Sequence, residues 1–530
     1  MLKLGLVSCC YFLYVTYSYR LALGDRFVYD ALHDTQPKDS GCMIGTRESV
    51  LTRILGWIKN DSTRMFWLTG MAGTGKTSIA VTICRMLQDD GNILLAGSFF
   101  CSRFAGSVPR TDVRRILPTL AASLADRSPE FAEALATGLQ ADPRVAYKPV
   151  SSQLDTLLIQ PFSKLSLSKS PIVFVIDALD ECANGGELAD LLAAIADIES
   201  AANVKFILTS RPEMHIRGTS ISRPKHSTIL HLHTISDVEV TADIRRYINA
   251  TLGASTQDGT WYQLNDIEEL VRLSQGLFIF ASTVLLYVQA REHVSGRKER
   301  LRKATSATRA NSAATVSLDR IYEMIVLEAA RSDKVDGDEL RAAQRALACI
   351  LAGRISLSIQ ALADLLDAEA YAVRGSLERL HSVVYLPDDD TRTGVRVLHT
   401  SFGDYIVARA AEHIRISESL GDQVLAVGCL RIMSKSLYFN VSQSHSSHEP
   451  NLGPRPHNIT LALEYACLQW IYHVAGMPDA AVLDEDIHRV LGAQFLFWLE
   501  VMSVLGRVGR AAAMLVFAAA TVRQNVTMHL

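Results

Sequence analysis

The chain has 530 residues, of which 48% are apolar and 21% charged, and its formal net charge is −3. This length exceeds what one hydrophobic core can organise, so roughly three or four domains are expected. The near-neutral charge gives no overall reason to expect a nucleic-acid partner. The nine cysteines include no Cys-x-x-Cys pair, which argues against a zinc site or a disulfide framework and favours a reducing compartment.

Residues 4–19 form an uncharged run between Lys3 and Arg20. Such a run can be a signal peptide or a short membrane anchor. It is short for a membrane span, however, and it contains hydroxyl groups and four tyrosines. A packed strand or helix is therefore the preferred interpretation, and membrane association is kept as the alternative.

A glycine-rich stretch follows a short apolar run at residues 65–68. Gly70, Gly75, Lys76 and Thr77 have the spacing of a phosphate loop, and residues 78–88 repeat apolar side chains at helical spacing. Glycines allow the backbone N–H groups to converge on a phosphate. Lysine can neutralise the β- and γ-phosphates, and the threonine hydroxyl can bind Mg²⁺. The alternative is a glycine-rich turn that binds nothing, but strand, loop and helix together favour a nucleotide site.

Apolar runs at residues 93–101, 171–177, 203–212 and 227–233 alternate with helical patterns. This alternation predicts an α/β P-loop NTPase domain with a parallel sheet covered by helices on both faces. From residue 237 onward the pattern is almost wholly helical. Residues 291–309 are rich in Arg and Lys and are predicted to be an exposed helix end and linker, with a nucleic-acid contact as the less favoured interpretation.

Acidic residues follow the apolar run that starts at residue 171. Asp177 comes after five apolar residues, as expected at the carboxyl edge of a central strand, where it can serve the Mg²⁺ ion. Asp180 or Glu181 can polarise the attacking water. Arg211 leaves the next strand, and can reach a γ-phosphate or form a structural ion pair.

Residues 342–405 combine two helices with a short hairpin, which is typical of a winged helix. DNA binding by the second helix, residues 371–381, is weighed against packing, and packing is favoured because Arg374 and Arg379 are its only strong bases. Further helices are predicted at residues 421–435, 461–475 and 493–508, without a repeat of solenoid period.

Three of these motifs resemble the NACHT class of signal-transduction NTPases, specifically the fungal NOD-like proteins. They are residues 70–80, residues 172–182 with the sequence IVFVIDALDEC, and residues 208–213 with the sequence LTSRPE. The lead-in at residues 41–47 and the segments 276–281, 318–322 and 398–405 also resemble parts of that family. The resemblance covers about residues 41–507.

The resemblance implies five regions. They are an amino-terminal segment (1–38), the NACHT P-loop NTPase domain (39–235), a helical domain (236–335), a winged-helix domain (336–412) and a carboxyl-terminal helical region (413–530). The family usually also carries an effector domain in the first of these regions and repeats after the last, and this sequence departs from that pattern because neither is recognisable in it.

The resemblance also implies a nucleotide-dependent signalling switch. ADP or GDP would hold the domains closed, and exchange for ATP or GTP with Mg²⁺ would open them for self-oligomerisation. The implied nucleotide ligands are Gly70, Ala72, Gly73, Thr74, Gly75, Lys76, Thr77, Ser78 and His399. The implied metal ligands are Thr77 and Asp177. Slow hydrolysis is assigned to Lys76, Asp180, Glu181 and Arg211.

His399 would touch the β-phosphate of the diphosphate from the winged helix; a histidine packed in a domain interface is the alternative. The expected location is cytoplasmic, with unknown effector and sensor partners and no nucleic acid. A non-hydrolysing nucleotide-binding scaffold and a motor NTPase that remodels a partner remain the rival functions.

Overall fold

A computed structural model describes residues 40–103, 110–164, 170–196, 203–212, 227–253, 261–290, 294–308, 314–330, 337–391, 393–443, 458–512 and 514–516, with residues 23, 27, 28 and 198 besides. The chain divides into two compact units, Met1–Leu318 and Asp319–Leu530. The uncharged run at residues 4–19 lies outside the described residues. Among the described helices, none is long and apolar enough to cross a membrane.

A five-stranded parallel sheet forms the centre of the first unit. Its strands are β1 Met65–Thr69, β2 Leu94–Phe100, β3 Ile172–Asp177, β4 Val204–Ser210 and β5 Ser227–His231. Their order across the sheet is β2-β3-β4-β1-β5, and all the pairs are parallel. The predicted parallel sheet is therefore confirmed, and β4 lies between β1 and β3.

The central strands are buried on both faces, as parallel strands covered by helices must be. Along β3, Phe174 and Ile176 belong to one core cluster, whereas Val173 and Val175 belong to the cluster on the other face. This alternation follows from the two-residue period of a strand. The ring of Phe174 also stacks on Phe206 of β4 at a centroid distance of 5.2 Å.

Helices cover both faces of the sheet. They are α1 Glu48–Asn60, α2 Lys76–Gln88, α3 Ile116–Ala125, α4 Pro129–Ala141, α5 Val150–Leu154, α6 Gln160–Ser163 and α7 Gly185–Ala196. A π-helical turn, Asp155–Ile159, joins α5 to α6. Pro118 lies in the first turn of α3, where a missing N–H removes no bond within the helix.

The first unit continues as helices after the sheet. They are α8 Asp237–Gly253, α9 Leu264–Ser274, α10 Phe278–Gln289 and α11 Val294–Thr308, and α12 Ala314–Ala330 spans the boundary between the units. The expected linker at residues 291–309 is wrong for most of its length, because α11 is a 15-residue helix. Leu301 and Ala304 of α11 are buried, and the Arg300 guanidinium lies 4.4 Å from the ring centroid of Tyr287.

The second unit is mainly helical. Its helices are α13 Gly337–Ala352, α14 Ile359–Leu366, α15 Ala370–Glu378, α16 Thr400–Asp404, α17 Glu418–Ser436, α18 Leu461–Ala475, α19 Asp484–Leu491 and α20 Phe495–Val504. A two-stranded antiparallel hairpin joins β6 Val384–Tyr385 to β7 Arg396–Val397. The chain therefore combines an α/β domain with a helical region.

Candidate functional site

The candidate site lies at the carboxyl edge of the sheet. The phosphate loop follows β1, Asp177 ends β3 and Arg211 comes directly after β4. Because β4 is inserted between β1 and β3, its last residues lie between the loop and the acidic strand. The main-chain N–H of Gly70 donates to the Ser210 carbonyl at 3.3 Å, which ties the start of the loop to the end of β4.

Glycine conformations shape the phosphate loop. Gly73 and Gly75 have φ values of 79° and 91°, in the region that side chains with a Cβ rarely adopt. A Cβ on Gly70 would lie 2.9 Å from the Thr74 hydroxyl oxygen. The loop leads directly into the first turn of α2, whose unpaired N–H groups and dipole favour an anion.

Lys76 begins α2 and its side chain folds back over the loop. Its Nζ donates to the Gly70 carbonyl at 2.7 Å and to the Met71 carbonyl at 3.0 Å. Burial lowers the pKa of Lys76, and the nearby carboxylates of Asp180 and Asp177 oppose that effect. The ammonium group is thus held at the loop by carbonyl oxygens that a phosphate oxygen can replace as its acceptors.

Asp177 is buried and accepts a hydrogen bond from β4. The Thr209 hydroxyl donates to Oδ1 at 2.5 Å. Burial raises the pKa of Asp177, whereas the hydroxyls of Thr209 and Thr77 and the charge of Lys76 lower it. The structure therefore brings the Thr77 hydroxyl close to Asp177, and the shared role of the two residues in binding Mg²⁺ stays a prediction.

The turn after Asp177 holds the other two carboxylates. Ala178 has a left-handed φ of 57°, and the 3₁₀ turn Leu179–Glu181 follows it. Asp180 accepts from the Arg211 main-chain N–H at 2.8 Å, and its Oδ2 lies 3.1 Å from Arg211 Nε. Of the two roles considered for Arg211, the ion pair is the one observed in this structure.

Glu181 is almost fully buried and faces the segment after β2. Its Oε2 accepts from the main-chain N–H of Arg103 at 2.9 Å, and Arg103 Nη2 donates to the Asp180 carbonyl at 2.9 Å. Burial raises the pKa of Glu181 to about 7, with the Arg103 N–H opposing and the charge of Asp180 adding to the rise. A carboxylate with this pKa can take a proton near neutral pH.

The residues present fit a nucleotide and a magnesium ion. The loop offers N–H donors and a lysine for phosphate, and a side chain on Gly70 or Gly73 would collide with its neighbours. Thr77 and Asp177 supply the hydroxyl and carboxylate oxygens that Mg²⁺ prefers. Among the described residues, no group of three or more His, Cys, Asp or Glu side chains is arranged to hold a metal by itself.

The outer side of the phosphate loop contacts the helices that follow the sheet. The Ile279 N–H at the start of α10 donates to the Gly73 carbonyl at 3.2 Å. Arg47 Nη2 donates to the Thr74 carbonyl at 2.9 Å, while its guanidinium carbon lies 4.8 Å from the Phe278 ring centroid. The loop is thereby connected to the helical part of the first unit.

The remaining predicted residues divide between the two units. Ala72, Thr74 and Ser78 are partly buried around the loop. His399 belongs to the second unit, where it precedes α16 and its Nδ1 accepts from the Ser401 N–H at 3.1 Å. Its predicted contact with the β-phosphate stays a prediction.

Sequence reasoning missed two residues that contact the acidic turn, Arg103 and Thr209. A hydroxyl directly after the apolar residues 206–208 was a signal for Thr209. The main-chain contact of Arg103 had no comparable signal.

Comparisons with known proteins find a matching family model and a related fungal protein. Residues 45–211 match the family described as Nephrocystin 3, N-terminal. The chain is 23% identical over 533 residues to the vegetative incompatibility protein HET-E-1 of Podospora anserina, a match that covers 91% of this chain. The chain spans only 37% of the length of that relative.

Two solved structures are similar in part. One is a STAND protein with a tetratricopeptide repeat sensor from Pyrococcus horikoshii, with a TM-score of 0.37 and 11% identity, covering 89% of this chain and 64% of that one. The other is the ORC1 protein of Aeropyrum pernix in complex with DNA, with a TM-score of 0.33 and 15% identity, covering 70% and 94%. These scores describe a loose likeness.

The sheet order, the phosphate loop and the acidic strand define a P-loop NTPase domain. The match of that domain and the fungal relative confirm the resemblance of this chain to the NACHT-type P-loop NTPases.

Proposed function

We propose that the chain binds ATP or GTP with Mg²⁺ at the phosphate loop and acts as a nucleotide-dependent signalling switch. The observation that carries the proposal is the convergence of Lys76, Thr77 and Asp177. The lysine ammonium donates to the loop carbonyls, and the threonine hydroxyl lies near the buried carboxylate that ends β3 and lowers its pKa. Residues from two distant parts of the sequence thus lie close together, and they supply the cation, hydroxyl and carboxylate that bind a phosphate and its metal ion.

Each part of the loop has a separate task in this proposal. The N–H groups of residues 72–78 orient the phosphates, aided by the N-terminus of α2. Lys76 exchanges its carbonyl acceptors for phosphate oxygens, while Thr77 and Asp177 hold the metal. The bound Mg²⁺ would supply charge neutralisation of the phosphate oxygens.

Slow hydrolysis is proposed for the acidic turn. Glu181 is the favoured base, because its pKa of about 7 lets it accept a proton from water at neutral pH. Asp180 holds Arg211 at the exit of β4 by an ion pair. Arg211 would contact the γ-phosphate only if it left or shared this pair.

The switch itself is proposed from the contacts of the loop with the helices. The Gly73 and Thr74 carbonyls accept from Ile279 and Arg47, so a change in loop conformation on phosphate binding would alter these bonds.

We propose a helical domain at residues 236–335, a winged-helix domain at 336–412 and a helical region at 413–530. His399 is proposed to couple the winged helix to the nucleotide. Opening would permit self-oligomerisation, in the cytoplasm, with effector and sensor partners still to be identified.

A non-hydrolysing scaffold is the alternative, and one observation favours it. Both carboxylates that could act as a base are engaged, Asp180 by Arg211 and Glu181 by the Arg103 N–H. In that case ADP or GDP would be a structural ligand that is bound but never produced at the site.

The first experiment identifies the nucleotide that copurifies with the protein and measures its affinity by calorimetry. Lys76→Ala should weaken the binding of nucleoside diphosphate by about 30- to 100-fold, because one charge-assisted contact to phosphate is lost. Lys59→Ala, which removes an exposed lysine of α1 from the same unit, is the control and should bind normally. Equal affinity in Lys76→Ala and the wild type would refute the site.

Turnover then separates the switch from the scaffold. Hydrolysis measured with purified protein should be slow in the wild type and lost in Glu181→Gln, while nucleotide affinity is retained. No hydrolysis in the wild type would support the scaffold, and fast turnover stimulated by a partner would support a motor.

A further inference from the structure

Thr209 is a hydroxyl residue in the most deeply buried part of the sheet. It lies in β4, the strand between the phosphate-loop strand and the acidic strand, and its side chain is fully buried. Ile207, which lies on the same face of β4, belongs to an apolar core cluster. A hydroxyl in such surroundings needs hydrogen-bond partners, because burying it unpaired costs free energy.

Both partners of Thr209 belong to the acidic segment. Its Oγ1 accepts from the Ala178 main-chain N–H at 2.9 Å and lies 2.5 Å from Asp177 Oδ1. A hydroxyl carries a single proton, and a carboxylate can only accept. The proton of Thr209 is therefore directed at Asp177, while a lone pair receives Ala178.

These two bonds fix two separate features of the site. The bond to Asp177 orients the carboxylate that lies near the Thr77 hydroxyl. The bond to Ala178 supports a non-glycine residue with a left-handed φ of 57°, a conformation that costs free energy unless its surroundings stabilise it. The turn carrying Asp180 and Glu181 begins directly after this residue.

We propose that Thr209 is a positioning residue for the metal half of the nucleotide site, acting through Asp177 and Ala178. This inference rests on the proposed function, since it assigns to Asp177 a Mg²⁺ ion that accompanies the nucleotide. Thr209 does not touch the loop lysine in this scheme. Its loss should therefore reduce the gain in nucleotide affinity that Mg²⁺ provides, and leave the metal-free affinity nearly unchanged.

The variants are Thr209→Val, which keeps the shape but removes both hydrogen bonds, and Thr209→Ser, which keeps the hydroxyl and loses a methyl group. Thr119→Val is the matched control for removing a buried hydroxyl. Thr119 lies in α3 of the same unit, and its hydroxyl bonds to the Arg115 carbonyl. Thermal unfolding of each variant verifies that it is folded.

The measurement is the calorimetric affinity for ADP and GDP in excess Mg²⁺ and in a chelator. Thr209→Val is expected to lower the Mg²⁺-dependent gain by about tenfold, the value of one hydrogen bond to a charged group, with metal-free affinity within about twofold of the wild type. Thr209→Ser and Thr119→Val should keep the wild-type gain.

The inference is overturned if Thr209→Val keeps the gain, if Thr209→Ser loses as much as Thr209→Val, or if Thr209→Val weakens both affinities equally. Should Thr209→Val fail to fold, Thr209→Ser decides, because its retained hydroxyl must preserve the gain. Failure of the wild type to bind either diphosphate under both conditions would instead refute the proposed function, and this inference with it.

Discussion

Two polar clusters, one in each compact unit, balance their charges in opposite ways. The acidic cluster at the sheet edge consists of Asp177, Asp180 and Glu181. Each carboxylate is nearly inaccessible to water, and the charge of Asp180 raises the pKa of both other members. Their hydrogen bonds and the nearby cations offset only part of this cost, because the pKa values of Asp177 and Glu181 stay raised.

The histidine cluster in the second unit consists of Asp422, Tyr465 and His473, on α17 and α18. His473 Nδ1 lies 2.6 Å from Asp422 Oδ1, and His473 Nε2 lies 2.7 Å from the Tyr465 hydroxyl. The Arg354 main-chain N–H also donates to that hydroxyl, at 3.3 Å. Burial lowers the pKa of His473 while the bond to Asp422 opposes this, and a neutral ring that donates from Nδ1 satisfies every contact.

The difference separates a cluster that stabilises the fold from one that costs stability. In the histidine cluster the two ring nitrogens and the tyrosine hydroxyl each have a complementary partner, so the cluster stabilises the packing of α17 against α18. In the acidic cluster like charges are crowded together at a cost in free energy, which is typical of sites that bind cations or move protons. Removing an ionisable group should therefore destabilise the second unit and stabilise the first.

The largest effect is expected for His473→Leu. An apolar side chain of similar size would leave the carboxylate of Asp422 and the hydroxyl of Tyr465 without their partner, at a cost of about 3 kcal/mol of unfolding free energy. The loss of unfolding free energy is measured by urea denaturation of the variant and the wild type. The exposed His488 of α19 provides the control, and His488→Leu should change the stability by less than about 0.5 kcal/mol. If His473→Leu loses no more unfolding free energy than His488→Leu, the histidine cluster does not stabilise the fold.

The opposite sign is expected for Glu181→Gln. The folded-state pKa of Glu181, about 7, lies above its ordinary value of 4.5, so ionising it weakens the fold progressively as the pH rises from 4.5 to 7. Glutamine carries no charge and can still accept from the Arg103 N–H through its amide oxygen. Glu181→Gln should therefore raise the unfolding free energy by about 2–3 kcal/mol at about pH 8 and change it little at about pH 4.5.

Unfolding of nucleotide-free protein at the two pH values tests this prediction. Glu485 of α19 is exposed, so Glu485→Gln serves as the control and should leave the stability unchanged at both. A Glu181→Gln variant that is destabilised at the higher pH would mean that the carboxylate is better compensated than its burial indicates.

The contrast also explains which features the sequence could reveal. Asp177 was predictable because a carboxylate after five apolar residues is unusual within a buried strand, and Lys76 and Thr77 because the loop spacing is specific. The parallel sheet was predictable because strand and helix patterns alternate. These signals are local, and each is contained in a short stretch of the chain.

Contacts that depend on strand order were not predictable. The sequence does not indicate that β4 separates β1 from β3, so it could not assign the Thr209 hydroxyl to Asp177. The histidine cluster was hidden for a similar reason. His473 occurs in an apolar helical pattern, and its partner Asp422 lies 51 residues earlier in the chain.

The smallest effect is expected at Arg103, which supports the acidic cluster through its main chain. Arg103→Pro removes the N–H that donates to Glu181 Oε2, whereas Arg103→Ala keeps that donor and removes only the guanidinium. Because this N–H lowers the pKa of Glu181, its loss should raise that pKa further. The unfolding free energy falls between about pH 5 and about pH 9 as Glu181 ionises, and this fall should be about 1 kcal/mol larger in Arg103→Pro than in the wild type.

Arg103→Ala is the control. The main-chain hydrogen bond lowers the pKa of Glu181 more than the guanidinium charge does, so Arg103→Ala should increase the fall by less than half as much. Equal changes in the two variants would assign the support of Glu181 to the guanidinium charge.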